Sequence, residues 1–320
     1  MYVTKSKIIV CCSQSVTGGP EVLHQLVNEL CKQGHNAVIA YYPFEEYFEC
    51  PIQYKRYNIK QGQLVDDSDT FIIIPESATW IIKRIKYAQI GIWWLSVDNY
   101  LFARHQSKIN DVYFRYKSLI RWRLPLYRLK EYLHFTQSHY GANFLKSSRI
   151  NSIPLSDYLS DEHLILRFTD DCREKENIVA YNPMKGKIQT KLIIKAYPDI
   201  QFIPINNMTA LQVVELLSRA KIYIDFGHHP GKDRLPREAA MARCCVISGN
   251  KGSARFHEDL PIPKKYKLGD ENNSYVYAFG QLAKAIFSDF NIHVIDFEYY
   301  REQILAEHEN FKKQVKAIFC

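Results

Sequence analysis

The stretch that decides the fold is "YIDFGHHPGKDRLPREAAMARCCVISG", residues 223–249. It begins as an apolar strand over residues 223–226 and ends as a second apolar strand over residues 244–248. Between the strands lie two histidines, a glycine, several basic residues and a short Ala-rich helix with Pro236 in its first turn, a favoured place for proline. This order predicts one unit of a parallel α/β sheet, in which ligands bind beyond the carboxyl ends of the strands.

The same alternation of strands and helices runs through the rest of the chain. Strands are predicted over residues 7–12, 36–42, 70–75, 90–96 and 133–138. After the first of them a helix is predicted over 20–34, with Pro20 at its first position and Gly34 past its end. A polar stretch over 160–177 interrupts the pattern, which then restarts and includes a helix over 209–220 with Thr209 as its cap. We expect an α/β fold of two doubly wound Rossmann-like domains facing across a cleft. Their bounds are 1–160 and 175–296, and a terminal helix of about 297–320 packs back onto the first domain.

Composition narrows the class of protein. The 320 residues are 47% hydrophobic and 24% charged, as in a soluble globular protein, and no apolar run approaches the ~20 residues that span a bilayer. The eight cysteines show no metal-binding spacing, so a reducing cytoplasm fits them best. The formal net charge of +8 favours an anionic partner such as a nucleotide, a nucleic acid or an anionic lipid.

The charged loop of the opening stretch suits a nucleoside diphosphate. Lys232 and Arg234 supply cations, Gly231 allows close approach of the backbone, and the helix start favours an anion. Glu238, expected in the first turn of the helix, is suited to accept hydrogen bonds from ribose hydroxyls, and His229 completes the predicted donor-binding set of this loop. The alternative is a solvated loop with a carboxylate that complements the helix dipole.

The segment "PREAAMARCCVISG", followed by "NKGSARF", resembles the donor half of GT-B glycosyltransferases. It is most similar to the large retaining family four, in which a Glu-containing helix, an Ala-rich turn and an apolar strand recur. Glu238 matches the second glutamate of the E-x7-E motif of that family. Pro230 stands where the first glutamate would be, so the contact of that glutamate with the donor sugar is not carried over.

The resemblance implies further donor-binding positions. In "YNPMKGK", Lys185 and Lys187 follow the first strand of the second domain, where such enzymes often carry basic residues that face the donor phosphates. The alternative for both is a solvated lysine. In "TGGPE", Gly18 and Gly19 follow the first strand of the first domain, where GT-B enzymes place a glycine loop. This pair is not the G-x-G-x-x-G of a dehydrogenase, which argues against a nicotinamide site.

The first domain contains three candidates for a catalytic base that would act on the acceptor. In "WWLSVDNY", Asp98 follows a predicted strand at the edge that would face the acceptor, and a carboxylate there could take the proton of a sugar hydroxyl. The alternative for Asp98 is a helix cap. His105 and Glu21 are rival candidates for the same role.

The segment over residues 112–135 interleaves basic, aromatic and leucine side chains. Residues 104–130 contain eight Lys or Arg and one acid, Asp111. Such a segment favours an anionic membrane surface; nucleic acid and an ordinary amphipathic helix with a solvated basic face are the alternatives. The predicted membrane contacts are Arg115, Lys117, Arg121, Trp122 and Arg123.

These observations predict a cytoplasmic glycosyltransferase, peripheral at the inner membrane face. It would move a sugar from a nucleotide-sugar donor to a glycan or lipid-linked acceptor in bacterial surface polysaccharide assembly. No cofactor and no obligatory metal are expected, because His228 and His229 lack a third nearby ligand in sequence. The alternatives are a GT-B type sugar-nucleotide epimerase and a non-catalytic nucleic-acid-binding protein; the concentration of basic residues in one segment and one loop disfavours the latter.

Overall fold

A computed structural model describes residue 3 and residues 5–105, 123–164, 174–269 and 274–319. The chain forms two compact units. Unit 1 comprises Met1–Asp157 together with His308–Cys320, and unit 2 comprises Tyr158–Glu307. The first division therefore lies a few residues before the polar stretch singled out in the sequence, and the second falls inside the last helix.

Unit 1 is built on a six-stranded parallel sheet in the order β2-β1-β3-β4-β5-β6. Its strands are β1 Lys7–Ser13, β2 Ala37–Tyr42, β3 Thr70–Pro75, β4 Gln89–Trp94, β5 Leu133–Thr136 and β6 Ile153–Pro154. The inner strands are buried along almost their whole length, as expected of a parallel sheet covered on both faces. The sequence predicted the first five strands; β6 has two residues, too few to form a pattern.

The helices of unit 1 are α1 Gly18–Lys32, α2 Val97–His105 and α3 His139–Ser147. Helix α1 begins two residues earlier than predicted, at the glycine pair, and Pro20 is its third residue. Gly34, placed past the end of this helix by the sequence analysis, has φ +90°, the left-handed conformation that glycine adopts at little cost.

Unit 2 is built on a four-stranded parallel sheet in the order β10-β9-β7-β8. Its strands are β7 Glu176–Tyr181, β8 Gln201–Pro204, β9 Ala220–Asp225 and β10 Cys245–Ser248. Its helices are α4 Asp161–Leu164, α5 Lys187–Ala196, α6 Ala210–Arg219, α7 Arg234–Met241, α8 Ser274–Ser288, α9 Phe290–Ile295 and α10 Glu298–Phe319, the last of which continues into unit 1. The predicted Thr cap is confirmed, because Thr209 and Gln212 form a reciprocal capping box at the start of α6.

Each sheet has one point at which the strand order reverses. In unit 1 this point lies between β1 and β3, and in unit 2 it lies between β7 and β9. Ligands of doubly wound sheets bind in the crevice that such a reversal opens at the carboxyl ends of the two strands. The predicted class of two doubly wound Rossmann-like domains is confirmed.

Two further observations bear on the surroundings of the protein. Within the described residues, no helix combines the length and the apolar character needed to cross a bilayer. The six cysteines of the described ranges are all free, and Cys11, Cys12, Cys244 and Cys245 are buried in or beside the central strands.

Candidate functional site

Two loops of unit 2 meet at its reversal point. One follows β7 and leads into α5, and the other follows β9 and leads into α7. Gly186 has φ +54°, and a Cβ atom there would lie 2.6 Å from the carbonyl carbon of Phe226. A Cβ atom on Gly227 would lie 2.5 Å from Cβ of Lys185. Both glycines are required by this close approach, which fixes the two loops against each other.

A chain of four charged side chains ties these loops together. The ammonium of Lys185, after β7, forms an ion pair with Oδ2 of Asp233, the residue before α7. Nδ1 of His229 lies 3.1 Å from the same carboxylate oxygen. On the other side of the ring, Nε2 of His229 lies 3.5 Å from Oδ1 of Asp225, the last residue of β9. The sequence predicted Lys185 and His229 for this site and missed both aspartates.

The charges around His229 favour its protonated form. Burial alone would lower the pKa of the imidazole, but Asp225 and then Asp233 outweigh it, so that the pKa is raised above its usual value. Burial alone would raise the pKa of Asp225, but His229, Lys185 and the N–H of Gly227 outweigh it, so that this pKa is lowered. Both effects hold the buried pair in its charged form.

Asp225, His229 and Asp233 also place one ligand-type atom each within 4.8 Å of the others, a spacing compatible with a metal site. Each ring nitrogen of His229 faces a different carboxylate. That geometry suits a protonated imidazole between two carboxylates, with Nδ1 close to Asp233 and Nε2 at ion-pair distance from Asp225 without a hydrogen bond, whereas a metal ligand offers one nitrogen lone pair. Lys185 already neutralises Asp233. The donor set therefore fits an ion-pair network better than it fits a metal.

A second ion-pair group holds the loop before α7 from its other side. The ammonium of Lys232 lies 2.7 Å from Oε1 of Glu307, and Arg237 lies 2.8 Å from Oε2 of the same carboxylate. The buried Arg237 also donates to the backbone carbonyls of Lys232 and Asp233, at 3.2 Å each. Lys232 was predicted to neutralise phosphates, and in this structure its charge is engaged by Glu307.

Arg234 and Glu238 form a third pair, along one face of α7. Nε of Arg234 lies 2.7 Å from Oε1 of Glu238, and the arginine side chain is 45% exposed whereas the glutamate is 5% exposed. The helix begins at Arg234, so Pro236 lies in its first turn as predicted. Glu238 therefore lies in the second turn and not in the first turn as predicted, and it is more deeply buried than a carboxylate that only complements a helix dipole.

The two remaining predicted donor positions of unit 2 lie at the same edge of the sheet. The carbonyl of Gly231 accepts a hydrogen bond of 2.6 Å from the hydroxyl of Ser253, which anchors the middle of the β9–α7 loop. Lys187 is the exposed first residue of α5 and directly follows Gly186. The structure thus brings together seven predicted residues of unit 2: Lys185, Lys187, His229, Gly231, Lys232, Arg234 and Glu238.

In unit 1 the glycine pair lies at the other reversal point. Gly18 and Gly19 open α1, directly after the β1 loop, and a Cβ atom on Gly18 would meet nothing within 4 Å. The preceding Thr17 is held on both sides by the hydroxyl of Tyr54, which donates to its carbonyl at 2.9 Å and accepts from its N–H at 3.0 Å. The loop is therefore held in one conformation before any ligand arrives.

The three predicted base candidates of unit 1 have different surroundings. Glu21, in the first turn of α1, forms an ion pair with Arg56, whose guanidinium lies 2.5 Å from its carboxylate. Asp98, in the first turn of α2, is buried, and its Oδ1 accepts from the hydroxyl of Tyr140 at 3.3 Å. His105 is the last residue of α2.

Glu76 is a candidate that sequence reasoning missed. It directly follows β3 at the reversal point of unit 1 and is buried, and its Oε2 accepts from the N–H of Leu95 at 2.9 Å. Burial raises the pKa of Glu76 to about 7, against the lowering effect of that hydrogen bond and of the Arg123 guanidinium. A carboxylate directly after a buried strand is a signal that the sequence did contain.

The predicted membrane contacts Arg115, Lys117, Arg121 and Trp122 lie outside the described residues. Arg123, the fifth, is half-buried and donates from Nε to the carbonyl of Ser77 at 3.1 Å. Leu124 continues this attachment, because its N–H donates to the hydroxyl of Thr79 at 3.0 Å. Arg123 therefore belongs to the packing around Glu76 and is poorly placed as a membrane contact.

No family model and no curated protein matches the chain. Solved structures do match over nearly its full length. Sucrose-phosphate synthase from Thermosynechococcus elongatus has a TM-score of 0.63 at 11% identity, covering 98% of each chain. HepE of Anabaena in complex with UDP-glucose has a TM-score of 0.61 at 10% identity, covering 97% of this chain and 98% of that one. An alpha-glucosyltransferase in complex with UDP and a 13-mer DNA has a TM-score of 0.58 at 10% identity, covering 97% and 99%. These likenesses show that the chain has the GT-B fold.

Proposed function

We propose that the protein is a glycosyltransferase that transfers a sugar from a nucleotide-sugar donor to an acceptor. The observation that carries the proposal is the position of the charged loops. The predicted donor residues of unit 2 lie at the carboxyl ends of β7 and β9, which is where a doubly wound sheet binds its ligand. The solved structures of this fold that include HepE with UDP-glucose and an alpha-glucosyltransferase with UDP support the same ligand class.

Two lysines of unit 2 are proposed to bind the phosphates of a nucleoside diphosphate. Lys185 and Lys187 flank Gly186 and present two cations beside the start of α5. Asp233 holds Lys185 in place before the ligand binds, so little side-chain entropy remains to be lost on binding. A preorganised cation that stabilises the departing diphosphate needs no metal ion to do so.

Glu238 is proposed to hold the ribose. Its pair with Arg234 must open first, and the arginine is exposed enough for water to replace the interaction at small cost. Glu238 matches the second glutamate of the E-x7-E motif of family four. We propose that the chain belongs to that family. Proline at position 230 leaves the first glutamate of that motif without an equivalent, so the stereochemical course of the transfer is not assigned.

On the acceptor side, Asp98 is the preferred base of the three candidates. The Arg56 pair disfavours Glu21, because its carboxylate is already engaged by a guanidinium. We propose a glycan or lipid-linked acceptor, in bacterial surface polysaccharide assembly at the cytoplasmic face of the membrane. That location rests on the composition of residues 104–130 and on the reduced state expected of the cysteines.

Calorimetric titration of the full chain with UDP, ADP, GDP, CDP and dTDP tests the proposal. We expect one nucleotide to bind preferentially, and its affinity to fall from diphosphate to monophosphate to nucleoside as phosphate contacts are removed. Incubation of the matching nucleotide-sugars without acceptor should give slow release of the diphosphate. An epimerase would instead return an altered nucleotide-sugar, and a folded protein that binds none of the nucleotides would contradict the proposal.

A further inference from the structure

Helix α5 has an outer face that the described part of the chain leaves largely exposed. Its inner face carries Thr190 and Ile193, which are buried in the core of unit 2. Ile188 and Leu192, one turn apart on the opposite side, are 74% and 40% exposed. Met184, one turn before Ile188 and just ahead of the helix, is 84% exposed. A helix at the surface of a globular unit needs one apolar face, so this outer row of apolar side chains is left unexplained by folding.

Lysines alternate with these apolar side chains. Lys187, Lys191 and Lys195 are all exposed and recur at the same spacing of four residues. Residues 182–197 contain no Asp or Glu, so no acid within the segment offsets this charge. The outer face of the helix is therefore both apolar and cationic along its full length.

We propose that the outer face of α5 docks unit 2 on a bilayer that contains anionic phospholipid. Apolar side chains that enter the acyl boundary beside lysines that meet the headgroups are the pattern of an interfacial helix. A lysine can lay its aliphatic stem on apolar surface while its ammonium stays in the headgroup layer, so the two kinds of contact are compatible. The row contains no arginine and no aromatic ring, which disfavours nucleic acid, for which guanidinium and stacking contacts are the usual means of recognition.

This docking surface is distinct from the segment over residues 104–130, and it shares only Lys187 with the proposed nucleotide site. Co-sedimentation of the full chain with vesicles tests it, using an equal mixture of phosphatidylglycerol and phosphatidylcholine against phosphatidylcholine alone. The variant K191Q/K195Q removes charge and I188S/L192S removes apolar contact, and neither touches Lys185 or Lys187. The matched control is I292S/I295S on α9, whose side chains are 62% and 57% exposed but lie between Asp289 and Asp296.

We expect binding to the mixed vesicles that weakens with salt, and little binding to phosphatidylcholine alone. K191Q/K195Q should lower the partition coefficient roughly 25-fold, because each lysine at an anionic surface contributes a factor of about five. I188S/L192S should lower the partition coefficient roughly 10-fold or more, and I292S/I295S should leave it unchanged.

The proposal is overturned if both α5 variants partition like the unaltered protein or if the α9 control loses as much binding. It is also overturned if the α5 variants lose affinity for single-stranded DNA and not for vesicles. Thermal unfolding of each variant confirms that the fold is retained.

Discussion

The ammonium of Lys232 lies 2.7 Å from one carboxylate oxygen of Glu307, and the other oxygen of that carboxylate lies 2.8 Å from Arg237. Glu307 is on α10, whereas both cations belong to the loop and helix that follow β9. Because Arg237 also donates to the backbone of that loop, one carboxylate on a distant helix fixes the conformation of the charged stretch. Much of the charge that the sequence placed between a core strand and a core helix is thus paired within unit 2.

Glu307→Gln should destabilise unit 2 by about 3 kcal/mol or more, because it leaves the buried guanidinium of Arg237 without its counter-charge. Urea unfolding measures the loss. Glu298→Gln is the matched control on the same helix: Glu298 is 62% exposed and lies 3.9 Å from Arg301, so its loss should cost less than about 1 kcal/mol. Equal free energies of unfolding for the two variants would contradict the structural role given to Glu307.

Glu238→Gln should weaken nucleoside and nucleoside diphosphate binding alike, by about 1–3 kcal/mol, since a charged acceptor of the ribose hydroxyls is lost. Lys185→Ala should weaken the diphosphate and leave the nucleoside nearly unaffected, since the proposed role of its ammonium is to neutralise the phosphates. Calorimetry with uridine and UDP, or the corresponding pair for the preferred base, separates the two effects. Glu215→Gln, on the exposed face of α6, is the control. A Glu238→Gln variant that binds normally would move the ribose site elsewhere.

The sequence predicted the framework well because strands of a parallel sheet are short apolar runs that can be recognised one at a time. β3 was predicted to the residue, and α6 was found through its Thr209 cap. Helix α7 begins at Arg234, so Pro236 lies in its first turn as predicted, whereas Glu238 lies one turn later than predicted. The difference matters because Glu238 is buried in that second turn.

The partners of the charged residues could not be predicted in the same way. Asp233 and Lys185 lie on different loops, and Glu307 lies on another helix altogether, so no local spacing relates them. Only the tertiary fold shows that a lysine assigned to a phosphate already has a carboxylate beside it. Glu76 is a different case: its position after β3 was visible in the sequence, but its burial and its contact with Leu95 were not.

His229 and His24 should titrate in opposite directions. The pKa of His229 is raised by Asp225 and Asp233 despite burial, whereas burial lowers the pKa of His24 to about 4. His24 has Nδ1 2.7 Å from the carbonyl of Pro20 and Nε2 2.7 Å from the hydroxyl of Tyr41, an arrangement that a neutral ring satisfies.

Proton NMR titration of the histidine ring signals, assigned with His229→Gln and His24→Gln, measures both values. The stabilisation from protonated His229 should be fully present below the unfolded pKa of about 6.5 and lost as pH rises through the higher folded pKa. The contribution of His24 should be present above about 6.5 and lost as pH falls toward 4. A pKa of His229 at or below that of an exposed histidine would show that the carboxylates do not hold it charged.

Glu76 should make stability depend on pH in the unusual direction for a carboxylate. Burial raises its pKa from 4.5 to about 7, so between these values the folded protein binds a proton that the unfolded chain has released. The free energy of unfolding should therefore fall as pH rises from about 4.5 to 7, by roughly 3 kcal/mol in total at 1.36 kcal/mol per pKa unit. Glu76→Gln keeps an acceptor for the N–H of Leu95 and cannot ionise, so it should lack this loss of stability.

Urea unfolding of both proteins at pH 5 and pH 8 makes the comparison. Subtracting the two free energies of unfolding at each pH cancels the contribution of every other titrating group. We expect the two proteins to be close in stability at pH 5 and Glu76→Gln to be the more stable at pH 8. If the unaltered protein is instead the more stable at pH 8, the ionised carboxylate is stabilised by Arg123 more strongly than burial opposes it, and Glu76 is a permanently charged member of an ion pair.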